Sequence, residues 1–366
     1  MDLVHTLTKL ISFQTVTGSQ KETQALCRWV KDELQPVPVY VREYNYNDLP
    51  SLVITPTRRK HARLWLAAHT DVVAADPEMF RARREGDRLI GRGAIDMKFA
   101  IACYVNILKE LAVRVKEYDI GVMLTPDEEW GKESSVKFLL EKEGYTGDVV
   151  FLPDGYGSWK FEESAKGIWG LSVETTGIAA HGSKPWHGHS AVAELVAFLA
   201  EAQRRVDEVC TKRDDEAHWY STMNIGQIDG GAAFNIVAAH ARATVDIRYT
   251  TKSDRAKIER IFRDLHAQFP NTVYTVTHDV PPYGILRKNG YVQCFANIAA
   301  EHGVECGWMK SHGSSDARFF NSARIPTILI GPEGGESHGD GEWIDIPDLT
   351  RYYAVLRDFV EAVARK

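Results

Sequence analysis

Apolar and polar positions along this chain follow two rhythms. Through the first 154 residues, short apolar runs at roughly 37–45, 51–55, 63–69, 119–125 and 148–153 read as strands. Helical periodicity fills the gaps, at about 97–113 and 133–143. Leu3, Leu7, Leu10 and Ile11 recur at helical spacing near the start. Ser19 and Glu22 have the spacing of a capping box ahead of Leu26, Trp29, Val30 and Leu34, which predicts a second helix there. Strands alternating with helices predict an α/β fold, a mostly parallel sheet covered by helices.

From about residue 166 the rhythm changes. The strand GIWGLSVETT, a helix from Ser190 to Cys210, strands near 222–228 and 241–249, a helix from Ser253 to Phe269 and the strand TVYTVTHDV follow in turn. The order βαββαβ is that of a ferredoxin-like α+β unit, able to close as one sheet with two helices on one face. After Pro281-Pro282 the first rhythm resumes, with helices near 289–303 and 315–322, strands near 305–310 and at PTILIG, and an amphipathic helix from Pro347 to Lys366. The middle therefore reads as an insertion: residues 1–165 and 283–366 form one discontinuous domain, and 166–282 a second.

Composition narrows the function. The balance of 44 basic against 50 acidic residues, net −6, argues against nucleic acid or an anionic membrane as partner, since both demand a concentrated positive surface. No apolar run approaches the roughly 20 residues that span a bilayer. The five cysteines are odd in number, form no CxxC and sit in apolar periodic stretches, which predicts reduced thiols and a cytoplasmic location. Neither GxGxxG, a phosphate loop nor GxSxG occurs, so nucleotide and serine-hydrolase chemistry are set aside.

The residues able to hold metal fall in a telling place. His69 follows LWLAA, Glu128 and Glu129 follow VMLTPD, Asp154 follows VVFLP, and His338 comes in the loop after PTILIG. In a parallel sheet the carboxyl ends of the strands share one edge, where ligands bind. Within HTD, residues 69 and 71 point to one side of an extended chain, so the Asp71 carboxylate is expected to hold one imidazole nitrogen while the other binds metal. Asp96 in GRGAIDMK sits at the mouth of a helix, where a carboxylate bridging two cations is expected. Of the adjacent pair Glu128 and Glu129, one can stay free as a base while the other ligates. Asp127 reads as a loop or capping acid, and His187 and His189 as members of an exposed turn.

HTDVV, GRGAIDMK, TPDEEWG, LPD and ESHGDGEW together resemble the co-catalytic dinuclear zinc hydrolases that include aminoacylases, acetylornithine deacetylase, succinyl-diaminopimelate desuccinylase, glutamate carboxypeptidases and related dipeptidases. GIAAHGSKPWHGHSA, FNIV and TVDIR extend the likeness through the insertion. The resemblance implies a zinc-exopeptidase-like catalytic domain with an inserted lid or dimerisation domain, and two zinc ions per chain, with cobalt or manganese as substitutes. His69 and Asp154 would hold one ion, Glu129 and His338 the other, and Asp96 would bridge. Glu128 would take a proton from the attacking water and return it to the leaving nitrogen. His181 would reach across a homodimer to the developing oxyanion, while Arg248, Asn235 and Arg318 would hold a substrate carboxylate. The implied reaction is amide hydrolysis of an N-acyl amino acid or small peptide with a free carboxylate. A dipeptidase or carboxypeptidase is the alternative within the family, and a non-catalytic metal-binding homologue the alternative outside enzymes. Phe99, where many relatives carry glycine, would either shape the acyl pocket or enter the core.

Overall fold

The computed structural model describes residues 3–130, 134–154, 158–210 and 218–366. Met1, Gly131 of TPDEEWG and residue 133, where a helix was expected to begin, lie outside the described residues. The chain divides into two compact units, one of Met1–Glu163, Gly284–Met309 and Ser315–Lys366, the other of Ser164–Tyr283 and Lys310–Ser314.

The first unit is built on a six-stranded sheet. Its four parallel members are, in spatial order, Ile120–Thr125, His61–His69, Thr146–Phe151 and the short Thr327–Ile328. Leu49–Thr55 and Tyr40–Tyr46 extend one edge in antiparallel pairing. All seven residues of Leu49–Thr55 and all six of Ile120–Thr125 are buried, which is why they read as unbroken apolar runs. The helices Lys98–Glu110 and Ile346–Ala364 pack on the His61–His69 strand, and Gln20–Glu33 on Leu49–Thr55. Phe151 anchors an aromatic core with Phe295, Tyr352 and Phe359.

Two local expectations are corrected. Ser19 precedes the helix Gln20–Glu33, but its side chain makes no capping hydrogen bond. The Glu22 carboxylate instead accepts the backbone N–H of Gln14 at 3.2 Å, so the acid ties the preceding loop and not the cap. The segment Lys310–Ser314 was expected in the discontinuous domain and groups with the other unit. There the Lys166 N–H donates to the Ser311 carbonyl (3.1 Å), and the Lys310 ammonium lies 5.3 Å from the centre of the Trp219 ring.

The second unit is a four-stranded antiparallel sheet in the spatial order Thr222–Gly230, His240–Tyr249, Gly167–Thr176, Thr272–Val280. In chain order these are strands two, three, one and four of the βαββαβ unit. Leu171, Val173, Ala243, Val245 and Ile247 alternate inward beneath the helices Ala191–Val209 and Lys252–Gln268, which contribute Leu195, Phe198, Ile258, Phe262 and Leu265. Ser190 caps the first helix and Thr251 the second, each accepting a backbone N–H three residues on.

Candidate active site

Parallel pairing puts the carboxyl ends of Ile120–Thr125, His61–His69 and Thr146–Phe151 on one edge of the sheet. His69 is the last residue of its strand and Asp154 follows Phe151 by three; Glu128 and Glu129 open a short 3₁₀ turn after Thr125. The next residue along, Thr70, donates its N–H to the Thr125 carbonyl (2.7 Å), which keeps the HTD and DEE segments side by side.

Two triads result. Donor atoms of His69, Asp96 and Asp154 lie within 4.8 Å of one another, as do those of Asp96, Glu129 and His338. Asp96 belongs to both. Its Oδ1 is 3.1 Å from Nε2 of His69 and its Oδ2 is 3.1 Å from Nε2 of His338, so the two oxygens of one carboxylate face two imidazoles. Nε2 of His69 also lies 3.8 Å from Asp154, and Nε2 of His338 lies 3.2 Å from Glu129. Imidazole and carboxylate donors with no thiolate suit zinc, cobalt or manganese, and three acids gathered around two imidazoles are short of positive charge. The donor set thus fits a pair of divalent cations.

The protonation behaviour of the cluster shows that shortage. Burial works against a charged His69, yet hydrogen bonds to Asp154, Asp71 and Asp96 raise its pKa well above the ordinary value. Hydrogen bonds to Asp96 and Glu129 push His338 up to about 10. Burial opposes ionisation of Asp96, but its hydrogen bonds to both imidazoles prevail and hold the carboxyl far below the usual carboxylate range. Glu128 goes the other way: burial, then the charge of Asp154, push its carboxyl well above normal. That carboxyl has no hydrogen-bonding side chain beside it among the described residues.

Asp71 touches the imidazole, and more besides. Nδ1 of His69 bonds the backbone carbonyl of Asp71 at 2.9 Å and stands 3.5 Å from its carboxylate. The carboxylate accepts the backbone N–H groups of Glu128 (3.3 Å) and Glu129 (3.2 Å) and the hydroxyl of Thr17 (2.9 Å). Asp71 therefore faces the imidazole with both its main-chain carbonyl and its carboxylate, and the carboxylate also holds the backbone of the paired glutamates.

The family model for peptidase family M20/M25/M40 matches residues 65–362. The chain belongs to this family. It is a hydrolase acting on peptide bonds. A probable carboxypeptidase of Aspergillus terreus is 26% identical over 340 residues, covering 90% of this chain and 77% of that one. A tripeptidase of Staphylococcus aureus has a TM-score of 0.80 at 20% identity, over 100% of this chain and 98% of the other. An M20 family metallo-carboxypeptidase of Sulfolobus solfataricus has a TM-score of 0.79 at 16% identity, over 99% of both. The M20 fold, a mostly parallel α/β sheet with its helices, is thereby established.

The other expected residues of this M20 chain are distributed unevenly. Arg318 is buried in the first unit; its Nη1 donates to the Ser315 carbonyl (3.1 Å), and its charge lowers the pKa of Asp154 and of Asp316, opposing the rise that burial causes in both. His181 and Asn235 are exposed in the second unit and brought together by backbone: the N–H of Gly182 donates to the Asn235 carbonyl (2.7 Å). The Ser183 N–H donates to Nδ1 of His181 (3.2 Å), which leaves the proton of the neutral ring on Nε2 as an outward donor. Arg248 is not near them. It pairs with Ile168 at one end of its strand, whereas Ile236 bridges His181 beyond the other end, His240, which lies eight residues or about 27 Å along the strand at 3.4 Å per residue. Its guanidinium is held by Asp246 at 2.9 Å.

Phe99 is fully buried, edge-on to Tyr352 with ring centres 5.8 Å apart, so it belongs to the core. Asp127 is a buried capping acid that accepts the N–H and hydroxyl of Ser135. His189 is engaged by Glu194. Missed in the sequence were Ser337, whose hydroxyl donates to Asp96 Oδ2 at 2.8 Å, and the buried ion pair Arg92–Glu342 at 2.6 Å. Both members of that pair lie inside GRGAIDMK and ESHGDGEW, the segments that also carry Asp96 and His338.

Proposed function

We propose that the chain is a dinuclear zinc hydrolase that cleaves the amide bond of a small peptide or N-acyl amino acid carrying a free carboxylate. The observation that carries this is the single Asp96 carboxylate with one oxygen toward each imidazole. The relatives, a probable carboxypeptidase and a tripeptidase, favour a peptide as the substrate.

His69, Asp154, Asp96, Glu129 and His338 would hold two cations, which when bound would acidify a water and polarise the substrate carbonyl. The remaining work belongs to side chains. Glu128, whose raised pKa makes its carboxylate a stronger base than an ordinary one, takes the proton of the water and delivers it to the leaving nitrogen. Asp71 holds the backbone of Glu128 and Glu129 so that one acid stays free while its neighbour ligates. Nε2–H of His181 meets the developing oxyanion, a donor commonly worth about 3 kcal/mol. Arg318, Arg248 and Asn235 bind the substrate carboxylate, for which the planar guanidinium is suited.

We infer that the active species is a homodimer. The separation of Arg248 from His181 and Asn235 supports this, because one small substrate can meet all three only when they come from different subunits. Large apolar side chains left exposed in the second unit, Ile178, Trp186, Phe234 and Ile236, also support it.

Glu128→Gln should retain close to two metal ions per chain by elemental analysis while turnover falls by about 10²- to 10⁴-fold. The assay is run on dipeptides, tripeptides and N-acetyl and N-succinyl amino acids with zinc, cobalt and manganese. Unchanged turnover removes Glu128 as the base, and fewer than two ions in the unaltered protein removes the dinuclear reading.

A further inference from the structure

The loop bearing Asp96 and the loop bearing His338 are joined by an ion pair that takes no part in bond cleavage. Arg92 is 1% exposed and Glu342 is 0% exposed. Nη1 of Arg92 donates to Glu342 Oε2 at 2.6 Å, while Nη2 donates to the main-chain carbonyls of His338 (3.0 Å) and Gly339 (3.1 Å). The second carboxylate oxygen of Glu342 accepts the backbone N–H groups of Ile95 and Asp96, both at 3.0 Å. One guanidinium and one carboxylate therefore grip the main chain of two of the three residues in the Asp96–Glu129–His338 triad.

In the other triad Asp96 is the one member held this way. His69 ends a strand paired on both sides, and Asp154 follows Phe151, whose strand lies between two others. His338 stands ten residues past the two-residue strand Thr327–Ile328, and its φ of +62° is a left-handed conformation that side-chain-bearing residues disfavour. It lies in the loop between the paired strands Gly334–Gly335 and Trp343–Asp345, and within that loop Arg92 holds its main chain. A buried ion pair is a poor source of stability, since apolar replacements of similar size often fold as well or better. Lysine could not substitute, because a point charge cannot serve a carboxylate and two carbonyls at once.

We propose that Arg92, anchored by Glu342, is a positioning residue that through its grip on the His338 main chain sets the cation affinity of the Asp96–Glu129–His338 triad, with far less effect on the His69–Asp96–Asp154 triad. This rests on the two-cation reading above. The test is calorimetric titration of the chelator-stripped full-length chain with Co²⁺, followed in parallel by the visible absorption of the bound ion. The unaltered protein should show two binding events. Arg92→Lys should keep one of them within about 2-fold and weaken the other by about 10- to 100-fold. Arg92→Gln, which removes the guanidinium fork but leaves Glu342 in place on the Asp96 loop, should show the same selective loss. Selective weakening in whichever variant folds, judged by circular dichroism, supports the proposal. Equal weakening of both events, no weakening, or failure of both variants to fold overturns it and leaves the pair a brace of the fold. Fewer than two Co²⁺ taken up by the unaltered protein would instead sink the two-cation reading itself, and this proposal with it.

Discussion

Two acids of this chain show how surroundings decide the strength of a carboxyl. Asp127, buried and facing the charge of Asp316, is pushed up to about 7 even though Ser135 donates to it. Glu194 suffers burial as well, but hydrogen bonds from Asn271, His189 and Thr272 prevail and hold its pKa below the ordinary 4.5. A carboxyl held below its unfolded value binds fewer protons when folded, so its contribution is present above pH 4.5 and is lost as pH falls through the folded value. Glu194→Gln should therefore melt below the unaltered protein at neutral pH, and the gap between the two melting curves should close as the pH drops under 4.5. A gap that stays constant down to pH 3 would remove the carboxylate from the account. At this scale the candidate ligands His69, Glu129 and Asp154 were legible because each comes just after an apolar run. Arg92 and Glu342 were not, since residues 250 positions apart meet only once two loops have folded.

Between strands, packing is governed by one large side chain. Trp65 is fully buried at the centre of His61–His69 and donates its indole N–H to the Thr146 carbonyl at 2.8 Å. Its ring occupies the space that a Cβ on either neighbouring strand would need: one built at Gly121 would lie 2.2 Å from the ring, and one at Gly147 2.5 Å. Gly121→Ala should then cost about 1 to 3 kcal/mol by overpacking, measured by urea unfolding. A cost near zero would mean that the ring moves aside freely. The parallel strands were legible as apolar runs because they are buried on both faces. The hairpin of Arg83–Glu85 and Arg88–Ile90 was not, since three-residue strands of mostly exposed polar side chains carry no periodicity. The capping box failed for a related reason: the spacing of Ser19 and Glu22 was right, but Gln14 offered the carboxylate another donor.

For the molecule as a whole, the insertion showed itself as a change from strand–helix alternation to βαββαβ, a pattern long enough to survive errors at its ends. What sequence periodicity could not reveal was that Arg248 and His181 sit at opposite ends of one sheet. If a homodimer brings them together, mixing His181→Ala chains with Glu128→Ala chains should restore activity that neither has alone. Random pairing gives one complete site in half of the dimers, about a quarter of the unaltered activity. Purified heterodimers without activity would count against a role for His181 across subunits.

The two triads also differ in when the ribosome finishes them. His69, Asp96 and Asp154 all precede the insertion, so one set of donors is complete in the nascent polypeptide before the second unit has been translated. The other lacks His338 until the insertion and the two helices Gly290–Glu301 and Ala317–Ser322 have emerged. Translation itself thus imposes an order on the two halves of the centre, and a truncated product ending inside the insertion would carry the first half alone.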